Sequence, residues 1–294
     1  MTSARQDDAS GPTARRILLG AQLRRLRQSR NVTRETAGWE IRGSESKISR
    51  MELGRVPFKE RDVADLLTLY GVADEEQAAF LALVRQANIP GWWQQFGEIV
   101  PPWLLSYLGL EDAASLIRAY EVHSVPVLLQ TADYARAVIR QAHDDASDAE
   151  IDRRLELCRA RQRILTRPDP SQFWAVLDEA VLRRRIGGQD VMRAQLEALI
   201  ETSQLPNVLL QIASFRAGTH TSAGFPFTIL RFSEPELADV VYMEQLTGSL
   251  YLDKPGEVDH YAATMERACR KAEPPDRTPV ILRKMLKETA DQEG

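Results

Sequence analysis

Two cysteines in 294 residues, Cys158 and Cys269, stand far apart in helix-like sequence, with no CxxC and no histidine at ligand spacing. That argues against a disulfide-stapled domain or a zinc site and leaves two buried free thiols as the expectation. No apolar run approaches the eighteen or so residues that a membrane span needs. The leading "MTSARQDDASGPTARR" is polar and lacks the apolar h-region of a signal peptide, so a cytoplasmic location with no membrane contact is expected. GxGxxG, GxxxxGK[ST], HExxH and GxSxG are all missing. The motif content therefore predicts neither an enzyme nor a resident cofactor or metal. Internal repeats and low-complexity tracts are absent too.

What is present is an ordinary globular composition, 44% hydrophobic and 27% charged, at a length that predicts two domains. The net charge of −4 conceals an asymmetry. Residues 1–60 carry 13 Lys/Arg against 7 Asp/Glu, a net of +6, which leaves 25 against 35 and a net of −10 for the remainder. A polyanion would dock at the basic end.

Periodicity gives that end a shape. Leu19, Leu23 and Leu26 recur at i, i+4 and i+7 in "ARRILLGAQLRRLRQSR", an amphipathic helix with arginines on its outer face. Thr33 is placed to cap a short helix, "TRETAGWEI", and Ser44 to cap a second, "ESKISRMEL", after the break "RGS". Gly54 stops it, and further helices are predicted at Lys59–Tyr70 and Asp74–Ala87. Two short helices joined by a tight turn and flanked by amphipathic helices form the layout of a helix-turn-helix domain. Ile48 and Met51 make the inward stripe of the second short helix. Ser44, Glu45, Ser46, Lys47, Ser49 and Arg50, with Arg55 just beyond, are left as candidate contacts to double-stranded DNA. Arg50 suits guanine O6/N7, Glu45 suits cytosine N4, and the serines suit a base or phosphate. The plainer reading is a polar surface helix on a helical bundle.

Residues 17–87 resemble the XRE-type (Cro/C1-like) helix-turn-helix regulators, on the strength of Leu23, Leu26, Thr33 and "SESKISRMELG". The resemblance implies that Arg34, where the family commonly has Gln, holds a phosphate, and that Arg27 and Glu52 form an internal ion pair. The family's turn glycine is Arg42 here, with Gly43 one place later, which predicts a turn shifted by one residue. From about residue 90 to 290, "PGWWQQF", "PPWLLSYLGLEDAASLIRAYEVHSVPVLLQTADYARAVI", "RQRILTRPDP", "FWAVLDEAVLRRRIGG", "MRAQLEALI" and "VVYMEQLTGSLYLD" occur in order. They resemble the C-terminal domain of unknown function found in actinobacterial WhiJ-like regulators, which implies sensing of a small molecule or of a small regulatory partner protein.

Read from its residues, that second part is mixed. Residues 111–121, 131–142, 147–166, 190–203, 257–272 and 278–290 have helical periodicity, and "QFWAVLD", "NVLLQIASF", "FTILRF" and "DVVYMEQ" read as strands. The expected class is α+β: a helix-turn-helix bundle over residues 1–88, ordered from about 14, then helices covering a small sheet over 89–294. Trp174, Asp178, Glu179, His220, Phe225, Tyr242 and Glu244 are the candidate ligand-binding residues, since polar groups among aromatic ones at strand ends are the usual make-up of a small-molecule site. An acid in an apolar strand is most often edge-exposed or salt-bridged. Trp92, Trp93 and Trp103 are expected to pack at a domain or dimer interface. The composite expectation is a homodimeric, sequence-specific transcriptional regulator. The alternatives are a protein-docking module built on the helix-turn-helix and, more distantly, an enzyme with an appended DNA-binding domain.

Overall fold

The computed structural model describes residues 12–217, 224–234 and 237–290. The chain divides into two compact units, one of residues 1–95, 104–113 and 232–237, the other of residues 96–103, 114–231 and 238–294. Among the described residues no helix is long and apolar enough to cross a membrane, and no cluster of three His, Cys, Asp or Glu could hold a metal ion.

The first unit is helical: α1 (Pro12–Ser29), α2 (Arg34–Glu40), α3 (Glu45–Glu52), α4 (Glu60–Leu69) and α5 (Asp74–Ala87), joined by most of α6 (Pro102–Ala113). Leu19 and Leu23 of α1, Ile48 and Met51 of α3, and Val63, Leu66 and Leu67 of α4 are all nearly solvent-free in one core. The i, i+3, i+4 stripes read from the sequence therefore face one another. Trp93 also lies inside this unit, 2% exposed, with the Trp92 ring edge-on at 5.8 Å. It packs within its own chain and presents no surface.

The second unit is a mixed sheet with helices on it. Its strands are β1 (Leu116–Glu121), β2 (Gln172–Asp178), β3 (Val208–Ala213), β4 (Phe227–Arg231), β5 (Val240–Gln245) and β6 (Gly248–Leu252), in the order β3-β2-β1-β4-β5-β6. The β3-β2-β1 pairs are parallel and the β1-β4-β5-β6 pairs antiparallel. The helices are α7 (Ala132–Ala142), α8 (Asp148–Gln162), α9 (Glu179–Arg183), α10 (Gln189–Thr202), α11 (Pro255–Lys271) and α12 (Thr278–Ala290). α11 lays Met265 and Ala268 on Tyr120, Val176, Phe227, Ile229 and Val241. The alternate residues Ile117, Phe173, Ala175 and Leu177 point the other way and are just as buried, so both faces of the central strands are covered. The protein is α+β.

Two strands differ from the sequence reading. The helical periodicity read over residues 111–121 ends at Ala113, and Leu116–Glu121 is β1, the strand on which both halves of the sheet are built. Burial on both faces removes the alternation by which a strand is recognised. The buried Arg118 completes the disguise. It stacks over Trp174 at 4.6 Å and donates to Glu266 at 2.7 Å, so a cation sits where an apolar residue belongs. Among the described residues β6 is a short edge strand paired only with β5, in the register Val241↔Leu252 to Gln245↔Gly248.

Candidate nucleic-acid interface

Four successive helices of the first unit end in the same way. After α1, α2, α3 and α4 the chain turns through a left-handed residue: Asn31 (φ +54°), Arg42 (φ +51°), Gly54 (φ +64°) and Gly71 (φ +69°). At each, the following amide reaches back five residues, as in Gly43 N–H to Gly38 O at 2.8 Å and Arg55 N–H to Arg50 O at 2.9 Å. These are Schellman caps, which favour Gly or Asn at the left-handed position. Arg42 occupies that position itself, so the α2-α3 turn is not shifted onto Gly43 as the sequence suggested. The hydrogen-bond register imposes φ > 0 on an arginine, at about 1–2 kcal/mol. Arg42→Gly is therefore expected to stabilise the unit by about 0.5–1 kcal/mol after the glycine's extra unfolded-state entropy is subtracted. Denaturant titration of the two proteins checks this, and a loss of stability would contradict it.

The N-termini are fixed as firmly. Thr33 Oγ1 accepts from Thr36 N–H at 3.1 Å, and Ser44 Oγ accepts from Lys47 N–H at 3.2 Å. So capped, α3 buries Ile48, Met51 and Glu52 and turns Ser44, Glu45, Ser46 and Arg50 to solvent, with Ser49 half-buried between them. The spacing 45, 46, 49, 50 places these side chains on one face of the helix. Two other candidates have partners inside the unit. Lys47 Nζ meets Asp62 Oδ2 of α4 at 2.6 Å, and Arg34 Nε meets Glu52 Oε2 at 3.2 Å. Lys47 thus clamps α3 to α4, while Arg34 keeps a third of its side chain exposed at the start of α2. Arg55 is half-buried in the turn that follows α3.

Behind this face lies the ion pair implied by the resemblance. Arg27 Nε and Nη2 reach Glu52 Oε1 and Oε2 at 2.5 and 3.2 Å, and Arg27 Nη1 donates to Val32 O at 2.8 Å. With Arg34 on its other side, the buried Glu52 carboxylate ties α1, α2 and α3 together. Burial, and next the Glu52 charge, push the Tyr70 phenol well above its ordinary range. Gly20 lets the backbones meet: a Cβ there would lie 2.5 Å from Met51 O. Trp39, 77% exposed on α2, was not distinguishable in sequence from a core aromatic.

The fold and this face define a helix-turn-helix DNA-binding domain of the XRE type, and a model of the helix-turn-helix domain matches residues 18–80. A second model, a domain of unknown function (DUF5753), matches residues 104–284, more than half of the chain. The chain belongs to the DUF5753 family, with an N-terminal helix-turn-helix. No curated protein and no solved structure matches it.

The candidate ligand residues of the second unit do not converge on one cavity. Trp174 packs with Val176 on the α11 face and donates to Gln211 Oε1 at 2.9 Å, whereas Tyr242 alternates with Val241 and Met243 and points to the opposite face. Asp178 Oδ1 caps α9 through Ala180 N–H at 2.8 Å. Glu179 accepts from Arg183 at 2.6 Å and from Phe215 N–H at 2.8 Å. These two acids serve the chain itself. Phe225 is exposed, and His220 lies outside the described residues.

Glu244 is exposed near the end of β5, and its partner was missed in the sequence. Glu121, at the end of β1, is pushed from the ordinary 4.5 up to about 8, by burial first and the Glu244 charge second, with Arg161 opposing. Only strand pairing brings residues 121 and 244 together. Because the folded state keeps a proton that the unfolded chain has lost, stability falls as pH rises from about 4.5 to about 8. Glu121→Gln is expected to melt at least about 2 °C above wild type at pH 9, and to match it near pH 4. Equal melting temperatures at both pH values would contradict the assignment.

Proposed function

We propose that the protein is a transcriptional regulator that reads a specific operator through the outer face of α3. The observation that carries this reading is that face itself: a capped helix that keeps Glu45, Ser46 and Arg50 in solvent while Ile48 and Met51 hold it to the core. A major groove admits such a helix, and these side-chain types match base edges. Arg34 is suited to a phosphate because Glu52 fixes its orientation from behind. Lys47 acts first as a structural clamp, so Lys47→Ala would act through stability as much as through DNA.

A domain of this size covers one half-site, and a homodimer on half-sites about 34 Å apart supplies the remaining affinity. The DUF5753 domain senses a small ligand or a partner protein. Support comes from the edge of the sheet where β1, β2, β3 and β5 end, the usual place for a ligand in sheets with parallel strands. Glu121 and Glu244 stand there.

Mobility shift of genomic fragments with the full chain, at graded salt, tests the reading. A subset of fragments should bind selectively, and for about six phosphate contacts affinity should fall by about 10³ between roughly 50 and 200 mM salt. Salt-insensitive binding, or equal binding of all fragments, would favour the protein-docking alternative.

A further inference from the structure

A cavity of about 280 Å³ opens inside the first unit, walled by α1, the turn that ends α3, the chain around Trp93, and α6. Its size is at the lower end of small-molecule sites. Most of its wall is apolar, with Leu53, Trp93, Leu105 and Leu110, and Ser106 adds a hydroxyl. Two arginines, Arg16 and Arg55, line it, and none of the described residues lining it is acidic.

Arg16 is the unusual member. Its Nη2 donates to Thr13 Oγ1 at 3.1 Å, yet the buried Nε has no hydrogen-bond partner among the described residues. A buried donor without an acceptor is uncommon, and on a cation it is more costly still. Burial lowers the Arg16 pKa from its ordinary value, and no anion among the described residues acts against it. The wall around the arginine is tightly set. At Gly109 a Cβ would lie 2.2 Å from Thr13 Oγ1 and 2.8 Å from the Trp93 ring, so α6 can approach α1 here only as glycine.

We propose that this cavity is a binding site for a small organic anion, an apolar body carrying one carboxylate. Arg16 and Arg55 give the cavity positive charge, which a carboxylate complements, and an apolar wall suits the remainder of such a molecule. Leu53 and Gly54, which end α3, form part of the wall, so an occupant touches the segment that fixes the exit of that helix. The site does not depend on the DNA-binding reading, since it lies away from the outer face of α3 and its occupancy is measured without DNA.

Calorimetric titration of the full chain with sodium hexanoate, hexan-1-ol and inorganic phosphate tests it. Hexanoate should bind saturably, one per chain, and at least about tenfold tighter than the alcohol, which lacks the charge, or phosphate, which lacks the apolar body. Arg16→Met should weaken hexanoate by at least about tenfold, while leaving the ligand-free melting temperature equal or higher, because it removes an unpaired buried cation. Ser106→Phe, which fills the cavity and retains Arg16, should abolish binding in a chain of unchanged circular dichroism. No saturable heat up to about 10 mM hexanoate, undiminished binding by either variant, or phosphate binding as tight as hexanoate would overturn the site.

Discussion

Glu52→Ala is expected to destabilise the first unit by about 3–5 kcal/mol, the effect of leaving a buried guanidinium without its counter-charge. The carboxylate is the hub, accepting from Arg27 at 2.5 Å and from Arg34 at 3.2 Å. Arg27→Met should therefore be milder, because Arg34 still faces the acid. The double change Arg27→Met/Glu52→Leu should be milder than Glu52→Ala, since buried charges replaced together by apolar groups strand nothing. Hydrogen exchange of the α1 to α5 amides in the full chain measures all three. Equal protection in every variant would show that the pair contributes nothing.

Arg50→Ala is expected to weaken specific operator binding by about 1–3 kcal/mol, roughly 5- to 150-fold, and to leave the melting temperature unchanged. Arg50 is the exposed cation in the last turn of α3, and its backbone carbonyl, not its side chain, accepts the Arg55 amide that closes the cap. Removing the guanidinium leaves helix and cap intact. Discrimination lost with the side chain should fall on one base position, whereas loss of a phosphate contact would affect all sequences alike.

Local rules were enough to draw α1 to α5 of the first unit, but not α6, of which the sequence reading caught only the last turn. Thr33 and Ser44 cap because their hydroxyls compete for the first amides of a helix, and Leu19, Leu23, Ile48 and Met51 recur at helical spacing, so each helix could be read from its own residues. Arg42 defeated that logic because a left-handed arginine is disfavoured locally and is imposed by the Gly43 to Gly38 hydrogen bond. In the second unit the legible strands β2 to β5 were those bounded by Pro, Gly, Asn and Asp. β1 was misread because Arg118 is neutralised by Glu266, 148 residues away. The acids divided for the same reason. Asp178 and Glu179 looked like site residues until α9 and the Phe215 amide accounted for them, while Glu121 looked ordinary until the sheet set it near Glu244.

Selection of bound sequences from a random duplex library, run in parallel with the wild-type chain and Arg50→Ala, tests most directly whether α3 reads DNA. A wild-type motif with one position, a guanine, relaxed in the variant and all others retained is the expected result. Identical motifs from the two proteins, or no enrichment by the wild type at all, would contradict the assignment of α3 as the recognition helix.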